Sequence, residues 1–425
     1  MLTLRNIALR KGRILYALAE EEGLLPDALA RGIEMTRDAE DQVLPVSAVL
    51  LRDLRCEVYH SEEAVLFSPW YYGNVFHAVH DALAPLVRTH DALGVDDYKR
   101  TTTILFDSAE KPFAYRRSKT FSMLPLFSGS VTTLGELQSD GRTHCFRTLA
   151  VGLDVVGAYA EMERAMERGI DDDVTVVTRA VLRVKDAFLP QPWTTHRQLE
   201  DDALLEARPL DAVALRLARR PRIVWIDRSG NMNRKTPGLA SLLEGYYHRT
   251  GIQIKPVRLE SMSMVDQVRL MHRTDVLIGV HGGGIANSIW LQPSAVVLQI
   301  VPYRLFDTGW ATTFDRMTAS TGLSGDHRLY YKATRDEVAF HWSRLTPDVA
   351  QRARASLDSD EALPLTEVFD FFVDWRLREF WINQIIQPRR DRLYEMIDRA
   401  VRVAIGDDAA EAVRFQPIPP EANPM

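Results

Sequence analysis

A histidine, three glycines and an asparagine form the first group of residues whose spacing could support chemistry. The group comprises His281, Gly282, Gly283, Gly284 and Asn287. It follows the apolar segment Val276–Val280, which has the composition of a buried strand. Glycines between a strand and a helix let the backbone approach a ligand, and the helix N-terminus offers N–H groups to an anion. The sequence therefore predicts an anion site, with a ligand-free tight turn and a core histidine as the alternative.

Two other uses of a glycine-rich loop are disfavoured by what the sequence lacks. Dinucleotide-binding folds carry Gly-x-Gly-x-x-Gly after their first strand, whereas the strand candidate Ile223–Ile226 leads into Asp227-Arg228-Ser229-Gly230. Esterases with an oxyanion loop of this kind also need Gly-x-Ser-x-Gly, and the chain contains no such pentapeptide.

Two arginines form a second group. Arg228 and Arg234 lie in the loop after the strand candidate Ile223–Ile226. The guanidinium fork binds phosphate oxygens through two parallel hydrogen bonds, so two such side chains at the end of a strand could hold a pyrophosphate. The alternative is a solvated, arginine-rich loop.

The third group lies in the N-terminal half and contains two histidines and a carboxylate. Its members are Asn74, His77, His80 and Asp81. On a helix, His77 and Asp81 would share one face because they are four residues apart, and either could act as a general base beside a cleft. We expect no metal site, since no distant third ligand is evident. A structural role in satisfying buried backbone groups is the other interpretation.

The charge balance excludes one class of partner. The chain has 425 residues, with 52 Lys and Arg against 58 Asp and Glu and a net charge of −6. Nucleic-acid binders show a net basic footprint, so we expect no nucleic-acid partner.

Signals for targeting or membrane insertion are weak. The N-terminal residues lack the apolar core of a signal peptide, and glycines interrupt the uncharged stretch 276–303. We expect a soluble, cytoplasmic protein without a transmembrane segment. Peripheral membrane attachment is one alternative, and the secretory-pathway lumen is another if a longer precursor is trimmed. Cys56 and Cys145 allow one bridge.

The sequence predicts an α/β protein with four segments. Residues 1–55 are expected to form a helical N-terminal extension, because apolar residues recur at about helical spacing. An N-terminal domain over 56–205 and a C-terminal domain over 206–345 follow, and 346–425 form C-terminal helices and a tail. In the C-terminal domain, strands at 223–226, 252–257, 276–280 and 296–301 alternate with helices at 237–247, 264–272 and 285–291. Such alternation predicts a parallel sheet with covering helices.

Taken together, five separated motifs resemble glycosyltransferase family 61. They are Asn74–Asp81, Cys145–Leu153, Ile226–Arg234, Met264–Gln267 and Thr274–Asn287. The first of them is most similar to the branch that adds N-acetylglucosamine to O-mannosyl glycans. Gly283 stands where the family more often has Ala, and the residues after Arg234 depart from the family pattern.

The resemblance implies a GT-B-like architecture, with two Rossmann-like domains facing a cleft and a helical C-terminal extension. It implies that residues 206–345 bind a nucleotide sugar, commonly UDP-linked, and that residues 56–205 form the acceptor side. Arg228, Arg234, His281, Gly282–Gly284 and Asn287 would then bind the donor. Asp81 would be the catalytic base, with His77 second, while Asn74, His80 and Gln267 would be further cleft residues.

The predicted function is that of an inverting glycosyltransferase with a nucleotide-sugar donor and a glycan or glycoconjugate acceptor. The resemblance implies that no metal is required, and no other cofactor is expected, since the nucleotide sugar is a substrate. One alternative is a catalytically silent homologue that binds a nucleotide sugar or a glycan. A second alternative is an NAD-binding oxidoreductase of the same sheet topology.

Overall fold

The computed structural model describes about two thirds of the chain in separate ranges. These are residues 2–10, 13–18, 33–34, 43–44, 46–67, 75–106, 118, 122–151, 171–189, 221–228, 235–308, 310–312, 314–315, 318, 322–358 and 375–406. The chain divides into two units, Met1–Ala187 and Phe188–Met425, called unit 1 and unit 2. The predicted boundary between residues 205 and 206 falls outside the described ranges.

Unit 1 is built on a mixed sheet. Its strands are β1 (Leu2–Arg10), β2 (Arg13–Leu18), β3 (Ile33–Glu34), β4 (Val43–Leu44), β5 (Val46–Leu50), β6 (Val58–Phe67), β7 (Thr101–Leu105), β8 (Ser130–Thr133) and β9 (His144–Val151). Seven of them form one sheet in the order β5-β2-β1-β9-β6-β7-β8. Its β6, β7, β8 and β9 run parallel, whereas β1 is antiparallel to both neighbours.

The expected helical extension over 1–55 is wrong. The described residues there form strands, and β1 lies in the middle of the sheet beside β9, where Leu4 pairs with Leu149. Ile14, one of the residues that suggested helical spacing, is fully buried in the core of unit 1, as is Ile7. One pairing partner of β1, the strand β9, is more than a hundred residues away in the chain, so the local spacing carried no information about that pairing.

The helices of unit 1 include one widened turn. The α-helices are α1 (Val75–Ala78), α2 (Ala84–Ala92), α3 (Leu134–Ser139) and α4 (Asp171–Phe188). A π-helical turn, Val79–Leu83, joins α1 to α2. Pro85 lies in the first turn of α2. In a regular α-helix its ring would clash with the carbonyl of Asp81, four residues earlier, and the wider turn relieves that clash.

In unit 1 a disulfide links the starts of two parallel strands, β6 and β9. Cys56 precedes β6 and bonds to Cys145 in β9, across 89 residues of chain. The bridge that the sequence allowed is therefore present, and it closes a long loop around β7 and β8.

Unit 2 contains a second, wholly parallel sheet. The strands of unit 2 are β10 (Ile223–Ile226), β11 (Ile254–Val257), β12 (Val276–Val280), β13 (Val296–Val301), β14 (Arg328–Lys332), β15 (Val338–Ala339) and β16 (Ile385–Ile386). The last two, β15 and β16, pair antiparallel in a separate two-stranded sheet. The α-helices are α5 (Leu239–Thr250), α6 (Met264–His272), α7 (Pro347–Asp358), α8 (Trp375–Ile382) and α9 (Arg390–Ile405). The main sheet has the order β11-β10-β12-β13-β14, so the predicted parallel α/β arrangement is confirmed for this unit.

One face of this sheet packs against α5 and α9. Leu393, Ile397 and Val401 from α9 share a hydrophobic core with Ile278 and Leu298 of the sheet. Tyr246 in α5 donates a hydrogen bond of 2.7 Å to Asp398 in α9. The last helix is thus an integral part of unit 2. A cleft between two Rossmann-like domains and a separate helical extension stay predictions.

Candidate donor-binding site

Two loops that the sequence singles out leave the sheet of unit 2 at the same edge. Arg228 lies just beyond β10, and His281 follows β12 directly. The two strands are parallel neighbours whose register pairs Ile223 with Val276, so their carboxyl ends point the same way. β11 lies on the other side of β10. The loops therefore meet where the strand order reverses, which is where open α/β sheets bind ligands.

The glycines in the second loop are required by backbone shape and by close packing. Gly282 has a φ of 137°, a conformation that residues with a side chain rarely adopt. A β-carbon on Gly284 would lie 3.2 Å from Ile226 Cγ2. In β12, just before the loop, a β-carbon on Gly279 would lie 2.7 Å from Ile285 Cδ1. The loop therefore packs directly against the end of β10. Glycines at these positions also let the backbone approach a ligand closely.

Backbone N–H groups, not a helix terminus, are what this loop offers to an anion. The predicted helix at 285–291 is instead a six-residue 3₁₀ helix, Ile285–Trp290. Its bonds span three residues, for example from the N–H of Asn287 to the carbonyl of Gly284. Within the described ranges, the N–H groups of Gly282, Gly283 and Gly284 donate to no backbone carbonyl. Successive free N–H groups form concavities that bind anions.

Arg228 is the clearest positive group at this edge. The side chain is half-buried, and its Nη1 atom is buried without a hydrogen-bond partner among the residues that the structure describes. Burial lowers the pKa of the guanidinium from its ordinary value, and nearby Glu260 opposes the shift. A buried cation with an unsatisfied donor is costly unless an anion pairs with it. This arrangement fits a phosphate-bearing ligand.

An ion pair next to Arg228, between Arg258 and Asp227, was not predicted from the sequence. Arg258, just after β11, donates through Nε to Asp227 Oδ2 at 3.0 Å. The N–H of Asp227 also bonds to the carbonyl of Val257. The pair ties the ends of β10 and β11 together and leaves Arg258 largely exposed.

The ring of His281 is held from several directions. The side chain is 2% exposed, and its backbone N–H donates to the carbonyl of Ile300 at 2.9 Å. Ring atom Nδ1 lies 3.0 Å from Nε2 of Gln299. The ring of Phe314 lies 5.2 Å away, centroid to centroid. His281 is thus buried but fixed at the start of the glycine loop.

Gln299 is a site residue that the sequence reasoning missed. It is the one polar residue in β13, which otherwise reads Val-Val-Leu-x-Ile-Val, and it is 2% exposed. A lone buried amide in an apolar strand must find hydrogen-bond partners. That signal could have identified it from the sequence.

Two predicted site residues mainly hold loops in place. Asn287 Nδ2 donates to the carbonyl of Gly284 at 3.1 Å, while its buried Oδ1 has no partner in the described part of the chain. Gln267 Nε2 donates to the carbonyls of Leu259 and Met262 at 2.8 and 3.0 Å. Gln267 is fully buried and therefore supports the loop after β11 from beneath.

The remaining candidates belong to unit 1 or lie outside the described residues. Asn74 and Arg234 lie outside them, as do the side chains of His80 and Asp81. His77 is in α1, where its ring makes an edge contact with Phe76. The predicted common face of His77 and Asp81 stays a prediction, because the side chain of Asp81 lies outside the described part of the structure.

Metal-binding clusters and membrane-spanning helices are both absent from the described residues. No three His, Cys, Asp or Glu side chains are grouped so that they could hold a metal ion. Among the described helices, none combines the length and apolar character needed to cross a bilayer.

Comparison with known proteins gives related enzymes. Xylan glycosyltransferase MUCI21 of Arabidopsis thaliana is 26% identical over 260 residues, which cover 60% of this chain and 47% of that protein. Beta-1,2-xylosyltransferase of Arabidopsis thaliana is 23% identical, covering 61% and 51%. Protein O-linked-mannose beta-1,4-N-acetylglucosaminyltransferase 2 of Xenopus tropicalis is 22% identical, covering 61% and 41%.

The match to a family extends over more than half of the chain. The chain spans about half the length of the curated relatives it matches. The sequence model of Glycosyltransferase 61 matches residues 75–298, a range that runs from α1 to β13 and includes both Arg228 and the glycine loop. The resemblance seen in the five motifs is confirmed, and the chain belongs to glycosyltransferase family 61.

Proposed function

We propose that this chain is an inverting glycosyltransferase that transfers a sugar from a nucleotide-sugar donor, UDP-linked, to a hydroxyl of a glycan or glycoconjugate. The observation that carries the proposal is the buried Nη1 of Arg228, which has no hydrogen-bond partner within the described ranges. It lies at the edge where the glycine loop presents three N–H groups without backbone acceptors in the described residues. A diphosphate would satisfy both sets of donors.

The donor side would act on the leaving group. As the bond between the anomeric carbon and the diphosphate oxygen breaks, negative charge grows on the β-phosphate. Arg228 and the N–H groups of Gly282–Gly284 would stabilise that charge from fixed positions, which is the most effective form of electrostatic catalysis. Arg234 stays a second candidate for the same task.

The acceptor side would activate the nucleophile. A hydroxyl of the acceptor attacks the anomeric carbon opposite the leaving diphosphate and loses its proton to a base. We assign that role to Asp81, with His77 as the second choice. One displacement inverts the anomeric centre. Asp81 lies in the π turn Val79–Leu83, and π turns occur frequently at functional sites.

The disulfide bears on the compartment. Disulfides form and persist in oxidising surroundings and are rare in the cytoplasm. The bond between Cys56 and Cys145 therefore supports the secretory-pathway lumen, or another oxidising compartment, over the cytoplasmic location first expected. We propose that the chain acts there.

A donor screen tests this function. Purified protein is incubated with a panel of UDP-, GDP- and CMP-linked sugars without acceptor, and release of the free nucleotide is measured. We expect slow hydrolysis of one or a few UDP sugars and loss of that hydrolysis in Arg228→Ala. Arg222→Ala is the matched control, because Arg222 flanks the opposite end of β10 and pairs with Asp275. Hydrolysis that is equal in both variants would contradict the proposed donor site.

A further inference from the structure

An exposed carboxylate shares the edge of the proposed donor site with Arg228. Glu260 lies in the loop after β11, and Arg228 lies in the loop after β10. Burial lowers the pKa of Arg228, and the negative charge of Glu260 opposes that shift, so the two side chains are within electrostatic reach of each other. Glu260 is exposed and makes no hydrogen bond or ion pair with any residue that the structure describes.

The two loops leave neighbouring strands side by side. Ile226 and Val257 end β10 and β11 and are paired across the sheet. The backbone N–H of Asp227 continues the ladder to the carbonyl of Val257 at 2.8 Å, and Arg258 donates to the carboxylate of Asp227 at 3.0 Å. Asp227 is thus engaged by an arginine, which leaves Glu260 as the carboxylate of these loops that a ligand can reach.

The backbone around Glu260 is held in place from the core. Residues Leu259–Ser261 form a 3₁₀ helix, in which Leu259 is buried. The Nε2 atom of the buried Gln267 donates to the carbonyls of Leu259 and Met262, on either side of Glu260, at 2.8 and 3.0 Å. A fixed backbone suits a side chain that must meet one defined part of a ligand.

The charge of Glu260 limits the groups that it can bind. Like charges repel, so a carboxylate near a diphosphate weakens binding unless it also meets a donor on the ligand. An ionised carboxylate only accepts hydrogen bonds, and the donors beside the phosphates of a nucleoside diphosphate are the ribose hydroxyls. In dinucleotide-binding folds, an acidic residue farther along the chain than the phosphate-binding loop accepts from a ribose hydroxyl. Glu260 follows Arg228 in the same order.

We propose that Glu260 is a specificity-determining residue, whose carboxylate accepts hydrogen bonds from the ribose hydroxyls while Arg228 binds the diphosphate. The inference rests on the proposed function, because it takes a nucleoside diphosphate as the ligand. Glu260 then selects ribonucleotide donors over deoxyribonucleotide donors, since a 2′-deoxyribose offers the carboxylate one hydroxyl fewer.

Two substitutions separate recognition of ribose from a general effect on the site. Glu260→Ala removes the acceptor, whereas Glu260→Gln keeps an acceptor and removes the charge. The matched control is Glu244→Ala, because Glu244 is an exposed carboxylate of unit 2 that lies on α5 beside His248 and not in these loops. Each protein is titrated by calorimetry with UDP, 2′-deoxy-UDP and inorganic pyrophosphate. UDP carries no transferred sugar, so the ribose is tested alone.

The expected results differ between the ribose and the phosphates. The wild type and Glu244→Ala should bind UDP about tenfold more tightly than 2′-deoxy-UDP, the value of one hydrogen bond to a charged group. Glu260→Ala should bind the two nucleotides equally, and Glu260→Gln should fall between. Both Glu260 variants should bind pyrophosphate at least as tightly as the wild type, because a like charge has been removed.

The outcomes that contradict the proposal are distinct. Equal binding of UDP and 2′-deoxy-UDP by the wild type, or an undiminished preference for UDP in Glu260→Ala, would overturn the role of Glu260 and leave the proposed function standing. Weaker pyrophosphate binding in both Glu260 variants would also overturn it, because a loop that had merely lost its structure would behave in that way. Absence of UDP binding by the wild type would overturn the proposed function itself.

Discussion

Gly284 packs so closely on Ile226 that a β-carbon added to the glycine would lie 3.2 Å from Ile226 Cγ2. We expect Gly284→Ala to push the loop away from the end of β10 and to cost about 1–2 kcal/mol of stability through overpacking. UDP affinity should fall as well, because the N–H groups of the loop move. Chemical denaturation and calorimetry measure both effects.

The control for this prediction is Gly325→Ala. A β-carbon on Gly325 would meet nothing within 4 Å, so stability and UDP affinity should stay at the wild-type level. If Gly284→Ala behaves like Gly325→Ala, close packing of the loop on β10 does not matter for the site.

The disulfide should contribute much of the stability of unit 1. Closing a loop of 89 residues removes chain entropy worth about 4.5 kcal/mol from the unfolded state in the loop-entropy treatment. We expect Cys56→Ser to lower the free energy of unfolding of unit 1 by several kcal/mol, and dithiothreitol to affect the wild type but not the variant. Equal stability with and without reductant would show that the bond is not formed in solution.

His90 predicts a pH dependence of stability. It is fully buried in α2, and burial, aided by Arg183 and opposed by Asp91, lowers its pKa to about 4. In the unfolded chain the same histidine has a pKa of about 6.5. Between these two values the unfolded chain binds the proton more readily than the folded chain does. The contribution to stability is therefore complete above about pH 6.5 and is lost as pH falls toward 4.

The corresponding test is urea denaturation of unit 1 at several pH values. The wild type should lose stability by up to about 1.4 kcal/mol for each pH unit in that window, and His90→Phe should show a flatter profile. His248→Asn replaces an exposed histidine of unit 2 and should leave the profile unchanged. If the free energy of unfolding changes with pH equally steeply in His90→Phe, His90 is not the source of that dependence.

The assignment of the base predicts a selective effect on rate. Asp81→Asn should reduce kcat for sugar transfer by about 100- to 10,000-fold, the usual contribution of a general base, and leave UDP affinity unchanged. Asp91→Asn, in the same helical segment and paired with Arg179 at the surface, should retain full activity. An active wild type with an equally active Asp81→Asn would exclude Asp81. A wild type that binds UDP but transfers no sugar would support the silent homologue.

The strands of unit 2 could be predicted from the sequence because each is marked by its own residues and by the turn residues beside it. Val276–Val280 and Val296–Val301 are short apolar runs bounded by turn residues, and the structure begins and ends both strands at those residues. The helix expected at 285–291 is instead a 3₁₀ helix that ends at Trp290, and five residues separate it from the start of β13.

The features that the sequence analysis predicted wrongly or missed depend on residues far away in the chain. β1 is a strand because β9 pairs with it, although the short Lys11-Gly12 connection between β1 and β2 was a usable hairpin signal. Gln299 reaches His281 only because β12 and β13 are neighbours in the sheet. Residue types and spacing, supported by the family resemblance, identified Arg228 and the glycine loop, whereas the buried state of Arg228 Nη1 could come only from the folded chain.

The most direct test of the central claim is calorimetric titration of UDP and of NAD into the wild type, Arg228→Ala and Arg222→Ala. The account predicts that the wild type and Arg222→Ala bind UDP equally and do not bind NAD. Arg228→Ala should bind UDP more weakly by about 1.5–3 kcal/mol, the value of a lost charged hydrogen-bond partner. NAD binding without UDP binding, or an unchanged dissociation constant for UDP in Arg228→Ala, would contradict it.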